Sequence, residues 1–215
     1  MVTPRALTRQ RVVVAGVGVV EDLGVDALDV RSVARRLHVL PTTLQRFMRD
    51  ELIRSAVMDE IVGTMPLVPR DGRWQWRLEH WARYTRLWLA GYPGLARYLS
   101  QIWLERDETL AVLDGLVEVM SAAGVPSTDR FTLAHACFSY VLGRMVHEPA
   151  LSTVVEPLAH GRIRVRADRL PHLAASVDEY VDEDPDAHFL IGVRVLVGGI
   201  AGMAALSVSR ENSAS

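Results

Sequence analysis

Between residues 29 and 49 the apolar positions keep a helical rhythm, lose it, and then regain it. Val30, Val33, Ala34 and Leu37 fall at i, i+3, i+4 and i+7, so one side of a helix over about Val30 to Leu37 can face a core. Asp29 stands directly before it, where a carboxylate can accept from the free amides of a first helical turn. The rhythm breaks at His38, Val39 and Leu40. Pro41 then suits the first position of a second helix, reaching about Met48, because a missing N–H costs no hydrogen bond there. Leu44 and Met48 point inward, which leaves Thr42, Thr43, Gln45, Arg46 and Arg49 outward. The spacing predicts two short helices joined by a tight turn, a helix-turn-helix.

The same reading extends along the chain. An opening helix from Thr8 to about Leu23 is expected to stop at Gly24, although Val12, Val13, Val14, Val17, Val19 and Val20 favour a strand locally. A fourth helix is expected over about Leu52 to Val62. Pro66, Pro69 and Gly72 then break the pattern, and Thr64 to Arg73 is the expected junction between a domain of residues 1–63 and one of residues 64–215. Further helices are predicted at 74–90, 94–104, 107–123, 128–147, 170–182 and 186–207. A loop carrying Pro149, Pro157 and Gly161 is expected from Glu148 to Asp168. Every element predicted along the chain is a helix, so the expected class is all-α.

Charge sharpens the first hairpin. The chain holds 24 basic and 26 acidic residues, a net of −2, so its total charge marks no affinity for a polyanion. Residues 31–49 nevertheless carry Arg31, Arg35, Arg36, Arg46 and Arg49 with no acidic residue among them. Six acids (Asp178, Glu179, Asp182, Glu183, Asp184 and Asp186) crowd residues 178–186 instead. The guanidinium fork suits phosphate oxygens and guanine edges, and Arg46 is the best placed for a base contact.

The stretch from Leu7 to Gly63 resembles the DNA-binding domain of the Tet repressor family of bacterial transcription regulators. The resemblance rests on the helix closed by Gly24, the cap at Asp29, the run Val33-Ala34-Arg35-Arg36-Leu37, and a recognition helix over Pro41 through Met48. Arg49 stands where the family often has a phosphate-binding lysine. Val117 to Gly124, Tyr140-Val141-Leu142-Gly143 and the Phe189, Gly192, Leu196, Gly199 spacing are similar to the family's C-terminal helices. The chain departs from the family pattern at His38 (usually glycine), Leu40 (serine or threonine), Gln45 (tyrosine) and Phe47 (histidine or tyrosine). The implied architecture is an N-terminal three-helix helix-turn-helix DNA-binding domain followed by a larger helical ligand-binding and dimerisation domain, about nine to ten helices in all. DNA contacts are expected from Arg31, Thr42, Thr43, Gln45, Arg46 and Arg49.

All five tryptophans lie between Trp74 and Trp103. Trp74, Trp81 and Trp88 recur every seventh residue, a stripe that fits a packed core as well as the wall of an apolar pocket. In the resembled family the helices after the DNA domain enclose an effector. Trp81, Trp88 and Trp103 are therefore expected to border a chamber, with His135, Tyr140 and Arg144 across from them. His147 beside Glu148 makes no metal site, because neighbours on a helix face apart. No zinc spacing, glycine-rich phosphate loop or nucleophile elbow occurs, so neither a metal, a cofactor nor an enzymatic reaction is expected.

Phe189 to Val208 is about twenty mostly apolar residues with Arg194 as its one charge, long enough to span a membrane. Gly192, Gly198, Gly199 and Gly202 equally permit close approach of a second helix. The expectation adopted is a homodimer without a membrane, paired through 128–147 and 186–207, with the membrane span as alternative. A lone Cys137 and no signal-peptide pattern point to the cytoplasm. The functional expectation is a ligand-responsive transcriptional repressor bound to an inverted-repeat operator. The alternative is a protein of this fold that has lost DNA binding and acts as a small-molecule-binding protein or enzyme.

Overall fold

The computed structural model describes residues 7–102, 105–159, 169–173, 175 and 184–213, and every regular element among them is helical. The backbone groups into two compact units. One joins Met1–Leu67 with Thr85–Val112, the other Val68–Tyr84 with Leu113–Ser215.

In the first unit, α1 (Arg9–Leu23) begins where the Thr8 hydroxyl accepts from the Arg11 amide at 3.3 Å and ends at Gly24, whose φ is 86°. A short 3-10 turn (Val25–Ala27) leads to α2 (Val30–Leu37), α3 (Pro41–Phe47) and α4 (Asp50–Val62). The valine-rich opening segment is helical because Val12, Val13, Val19 and Val20 all bury against the other helices, and burial outweighs a local strand preference. Gly16 has no room for a side chain: an added Cβ would lie 2.3 Å from Val57 Cγ2, where α1 and α4 meet. Leu28, Val33, Leu44, Ile53 and Ile61 complete this core. No helix occurs between Val62 and Trp74, as the prolines imply.

α5 (Trp74–Ala90) runs through both units, and α6 (Leu95–Ile102) belongs to the first. α7 (Asp107–Ala122), α8 (Arg130–Ala159) and α9 (Pro185–Ser213) follow. In the second unit α8 packs on α9 around Phe138, Val141, Phe189, Val193 and Ile200. Trp81 on the first half of α5 is 1% exposed and stacks on Phe138 with ring centroids 6.4 Å apart. Arg77 is also buried; its Nε donates to the Pro69 carbonyl and its guanidinium pairs with Glu118. That hydrogen bond holds the Glu118 carboxyl below the usual carboxylate range.

Several boundaries differ from expectation. α4 starts at Asp50 rather than Leu52, since Asp50 and Glu51 are favourable in a first turn where the helix dipole is positive. α8 does not end at His147 but continues through Pro149 and Pro157 to Ala159. A proline removes one amide and crowds one carbonyl, and the hydrogen bonds of the neighbouring turns can carry the helix past it. α9 starts at Pro185, a favoured first residue, and extends beyond the expected 207 to Ser213. Most of the helix expected at 170–182, together with Arg162, Arg164 and Arg166, lies outside the described residues.

Candidate nucleic-acid interface

The helix-turn-helix is held from both ends of its first helix. The Asp29 carboxylate accepts from the Ser32 amide at 2.7 Å. This backbone hydrogen bond is the main cause that keeps the Asp29 pKa low, and the nearby Arg31 charge adds to it. A second carboxylate reaches the same helix start from α4: Asp50 Oδ1 accepts from the Val30 amide at 2.8 Å. Arg54 Nη2 then donates to the Leu28 carbonyl at 2.7 Å, so α4 grips the segment leading into α2. At the other end of α2, His38 adopts a left-handed φ of 56° and its amide bonds back to the Arg35 carbonyl. A non-glycine residue there carries some strain, and the turn keeps it because Val39 N also bonds to Ala34 O.

α3 is anchored by Leu44, which is fully buried, and by little else. Its start has Pro41 at the first position and no side-chain cap from Leu40, as the sequence implies. Thr42, Thr43, Gln45, Arg46 and Arg49 are all exposed, and so is Arg31 on α2. Arg36 is set apart from the other arginines. Its guanidinium lies over Gly18 and pairs with Asp22 on α1, so that charge is answered inside the unit. Among the described residues, Arg31, Arg35, Arg46 and Arg49 form no ion pair with an acidic side chain. The face therefore offers four solvated guanidinium groups beside the hydroxyl and amide groups of α3, the donors that phosphates and base edges accept from.

The expected chamber residues fall in different places. Trp81 is buried in the second unit, and its Nε1 has no hydrogen-bond partner. Arg144 on α8 is half-buried, and its Nε is likewise unpartnered. Trp88 sits in the first unit, where its Nε1 donates to Thr64 Oγ1 at 3.1 Å and its ring meets Tyr92 edge-on. Tyr140 spends its hydroxyl on the Phe189 carbonyl at 2.8 Å, tying α8 to α9. His135 stacks on the exposed Phe131 and lies 3.4 Å from Ser139 Oγ. Trp103 lies outside the described residues. Burial pushes the Cys137 thiol up to about 12, so it stays protonated at neutral pH.

α9 presents two unlike stripes. Phe189, Val193, Ile200 and Ala204 are buried, whereas Ile191, Val195, Met203 and Leu206 are exposed, Val195 by 68%. Around added Cβ atoms at Gly198, Gly199 and Gly202 there is open space. The stretch Pro185–Ser207 is long and apolar enough to cross a membrane.

A cationic helix-turn-helix followed by a helical body with an apolar outer helix defines a helical DNA-binding regulator. Residues 65–204 match the family model described as tetracyclin repressor-like, C-terminal domain. The chain belongs to that family, the Tet repressor family of transcriptional regulators. It is 27% identical over 213 residues to an HTH-type transcriptional regulator of Saccharopolyspora erythraea, covering 95% of this chain and 89% of that one. The fold is similar to apo ActR from Streptomyces coelicolor, with a TM-score of 0.72 at 19% identity over 96% of this chain and 100% of that chain. It is also similar to BioQ from Mycobacterium smegmatis, with a TM-score of 0.64 at 24% identity over 92% of this chain and 99% of that chain. ActR has also been crystallised with actinorhodin, and BioQ with its natural double-stranded DNA operator.

Proposed function

We propose that this protein is a cytoplasmic, homodimeric transcriptional repressor that leaves an inverted-repeat operator when a small apolar or aromatic effector binds. It catalyses no reaction in this reading. Residues 1–63 read DNA, and residues 64–215 hold the effector and pair the protomers. The observation that carries the proposal is the exposed α3 face, where Thr42, Gln45 and Arg46 stand clear of the core beside the unpaired guanidinium groups of Arg31 and Arg49.

Arg46 is assigned a base edge in the major groove, and Gln45 and Thr43 its neighbours. Arg49, Arg31 and Thr42 are assigned phosphate oxygens, which set register and supply salt-dependent affinity. Pairing through the outer stripe of α9 and the adjoining α8 covers apolar surface that a lone protomer leaves in water. A two-fold pair then sets two α3 helices on successive major grooves, about 34 to 36 Å apart. BioQ, which shares the fold, binds a DNA operator, in keeping with this reading.

The effector is assigned to the helices of the second unit. The buried Trp81 Nε1 and the Arg144 Nε are donors without acceptors, and an unmet buried donor costs about 1 to 3 kcal/mol. An effector that is flat and apolar but carries oxygen acceptors answers both. His135 and Tyr140 on α8 are the further candidate contacts; Trp88 lies in the first unit and Trp103 outside the described residues. ActR, of similar fold, is known with actinorhodin bound.

A route for the response lies within the first unit. The Val25 amide donates to the Pro93 carbonyl at 2.9 Å, Arg97 pairs with Asp26, and Arg106 pairs with Asp59 on α4. Movement of Pro93 or Arg97 bears directly on the turn before α2, and movement of Arg106 bears on α4. The effector shifts the equilibrium only by its differential affinity for the two arrangements.

Selection of bound duplexes from a random pool at two salt concentrations tests the proposal. Enrichment of an inverted repeat is expected. Recovery of no common sequence at low salt contradicts it and favours a small-molecule-binding protein or enzyme.

A further inference from the structure

The polar groups of α3 account for one side of its exposed surface and leave the other side unassigned. Leu40, Thr43 and Phe47 follow each other at i, i+3 and i+7, so they form one ridge along the flank of the helix. Leu40 is 69% exposed and Phe47 is 47% exposed, and Thr43 between them is exposed as well. Phe47 borders an open groove of about 350 Å³ shared with Arg9, Met48 and Leu52, yet nearly half of its surface remains in water. Exposed apolar side chains on a helix of seven residues held by one buried leucine are not there for the core. A neighbouring ridge of the same helix carries Arg46, and Arg49 follows directly after α3.

We propose that the Leu40, Thr43 and Phe47 ridge reads thymine, through apolar contact with the 5-methyl group in the major groove. The inference rests on the DNA-binding reading above and adds the base chemistry that the apolar flank selects. The occupant follows from what surrounds the ridge. Four unpaired guanidinium groups flank it, so an anionic polymer is the partner that brings it into contact. In the major groove of such a polymer the thymine methyl is the one protruding apolar group, and threonine methyls and phenylalanine are side chains that meet it. Leu40 and Phe47 carry neither charge nor a hydrogen-bonding side-chain group, so the ridge contributes recognition without adding to the salt dependence. Phe47 is the principal reader, since its ring is the largest side chain of the ridge.

The test uses the full-length protein and the duplex recovered from the random pool. Each thymine of one half-site is replaced in turn by deoxyuridine, which pairs identically and lacks only the methyl. At one or two positions uracil is expected to weaken binding about fourfold, the value of burying a single methyl, with the salt slope unchanged. In Phe47→Ala that thymine preference disappears, and Phe47→Leu recovers part of it. Leu40→Ser, which restores a hydroxyl cap to α3, serves where Phe47→Ala fails to fold, and it is expected to lose thymine preference at a different base pair. Equal binding of thymine and uracil duplexes by the parent protein at every position overturns the inference while leaving the DNA-binding reading intact. Full thymine preference in folded Phe47→Ala overturns the assignment to this residue. Failure of the parent protein to bind any duplex removes both.

Discussion

α3 and α9 both present more surface than their own packing uses, and they do so with opposite chemistry. α3 is a short helix held by one buried leucine, and its exposed groups are arginine, threonine and glutamine, with an apolar ridge to one side. α9 spans Pro185–Ser213, and its exposed stripe is isoleucine, valine, methionine and leucine with glycines between them. An exposed cationic helix is stable in water and needs no partner to fold. An exposed apolar stripe of this length is costly in water and calls for a cover. The comparison teaches that exposure alone says little until the exposed groups are asked what solvent they suit. In the proposed function α3 meets a polar polymer transiently, and α9 meets a second protomer persistently.

The contrast is broken most severely at α9. Val195→Glu places a charge in the proposed protomer interface, and its two-fold copy doubles it. The dimer dissociation constant is expected to rise about a hundredfold or more, because juxtaposed like charges cost several kcal/mol. Sedimentation velocity should report a monomer, and Arg46→Ala measured alongside should remain dimeric. Persistence of the dimer in Val195→Glu places the interface elsewhere.

Gly192→Ala tests the packing behind that stripe. An added Cβ lies 2.1 Å from the Tyr140 hydroxyl, which is already committed to Phe189. Displacing the tyrosine should destabilise the fold by about 1 to 3 kcal/mol, read as a lowered melting temperature. An unchanged melt would mean that α8 and α9 adjust freely.

At α3 the expected effects are on recognition. Arg46→Ala should lose about 1 to 3 kcal/mol of discrimination at one base pair with little change in melting temperature. Asp50→Asn acts indirectly, by weakening the acceptor for the Val30 amide. About 1 kcal/mol of stability should be lost, with weaker operator binding that added salt does not mimic.

The smallest effect is on pH dependence. The Glu118 carboxyl, bonded to Arg77, has a folded pKa below its ordinary 4.5. A depressed carboxyl contributes stability above its unfolded pKa and loses it as pH falls through the folded one. Melting temperature should therefore decline on acidification below about pH 4.5, and Glu118→Gln should flatten that decline. A decline identical in the variant assigns it to other groups, Asp29 among them.

The division between local and long-range causes explains what the sequence made legible. Asp29, Pro41 and Gly24 act on amides within a few residues, so the helix boundaries they set could be read directly. The Asp50 bond to Val30 and the Arg54 bond to Leu28 cross from one helix to another. No spacing rule reaches them, and the residues that steady the reading head from α4 were missed for that reason. Pro149 and Pro157 misled in the other direction, since the cost of a proline is local while the surrounding hydrogen bonds sustain α8. The tryptophan stripe was visible as a period of seven, yet Trp81 and Trp88 lie in different compact units. Periodicity ranks positions on one helix and is silent about what each turn of it faces.

The central claim is that the unpaired arginines around α3 meet phosphate. Its most direct test is the salt dependence of affinity for the selected duplex, measured for the parent protein and for Arg49→Ala. The account predicts that log affinity falls linearly with log salt and that the variant's slope is shallower by about one unit. An identical slope in the two proteins, or affinity independent of salt, contradicts it.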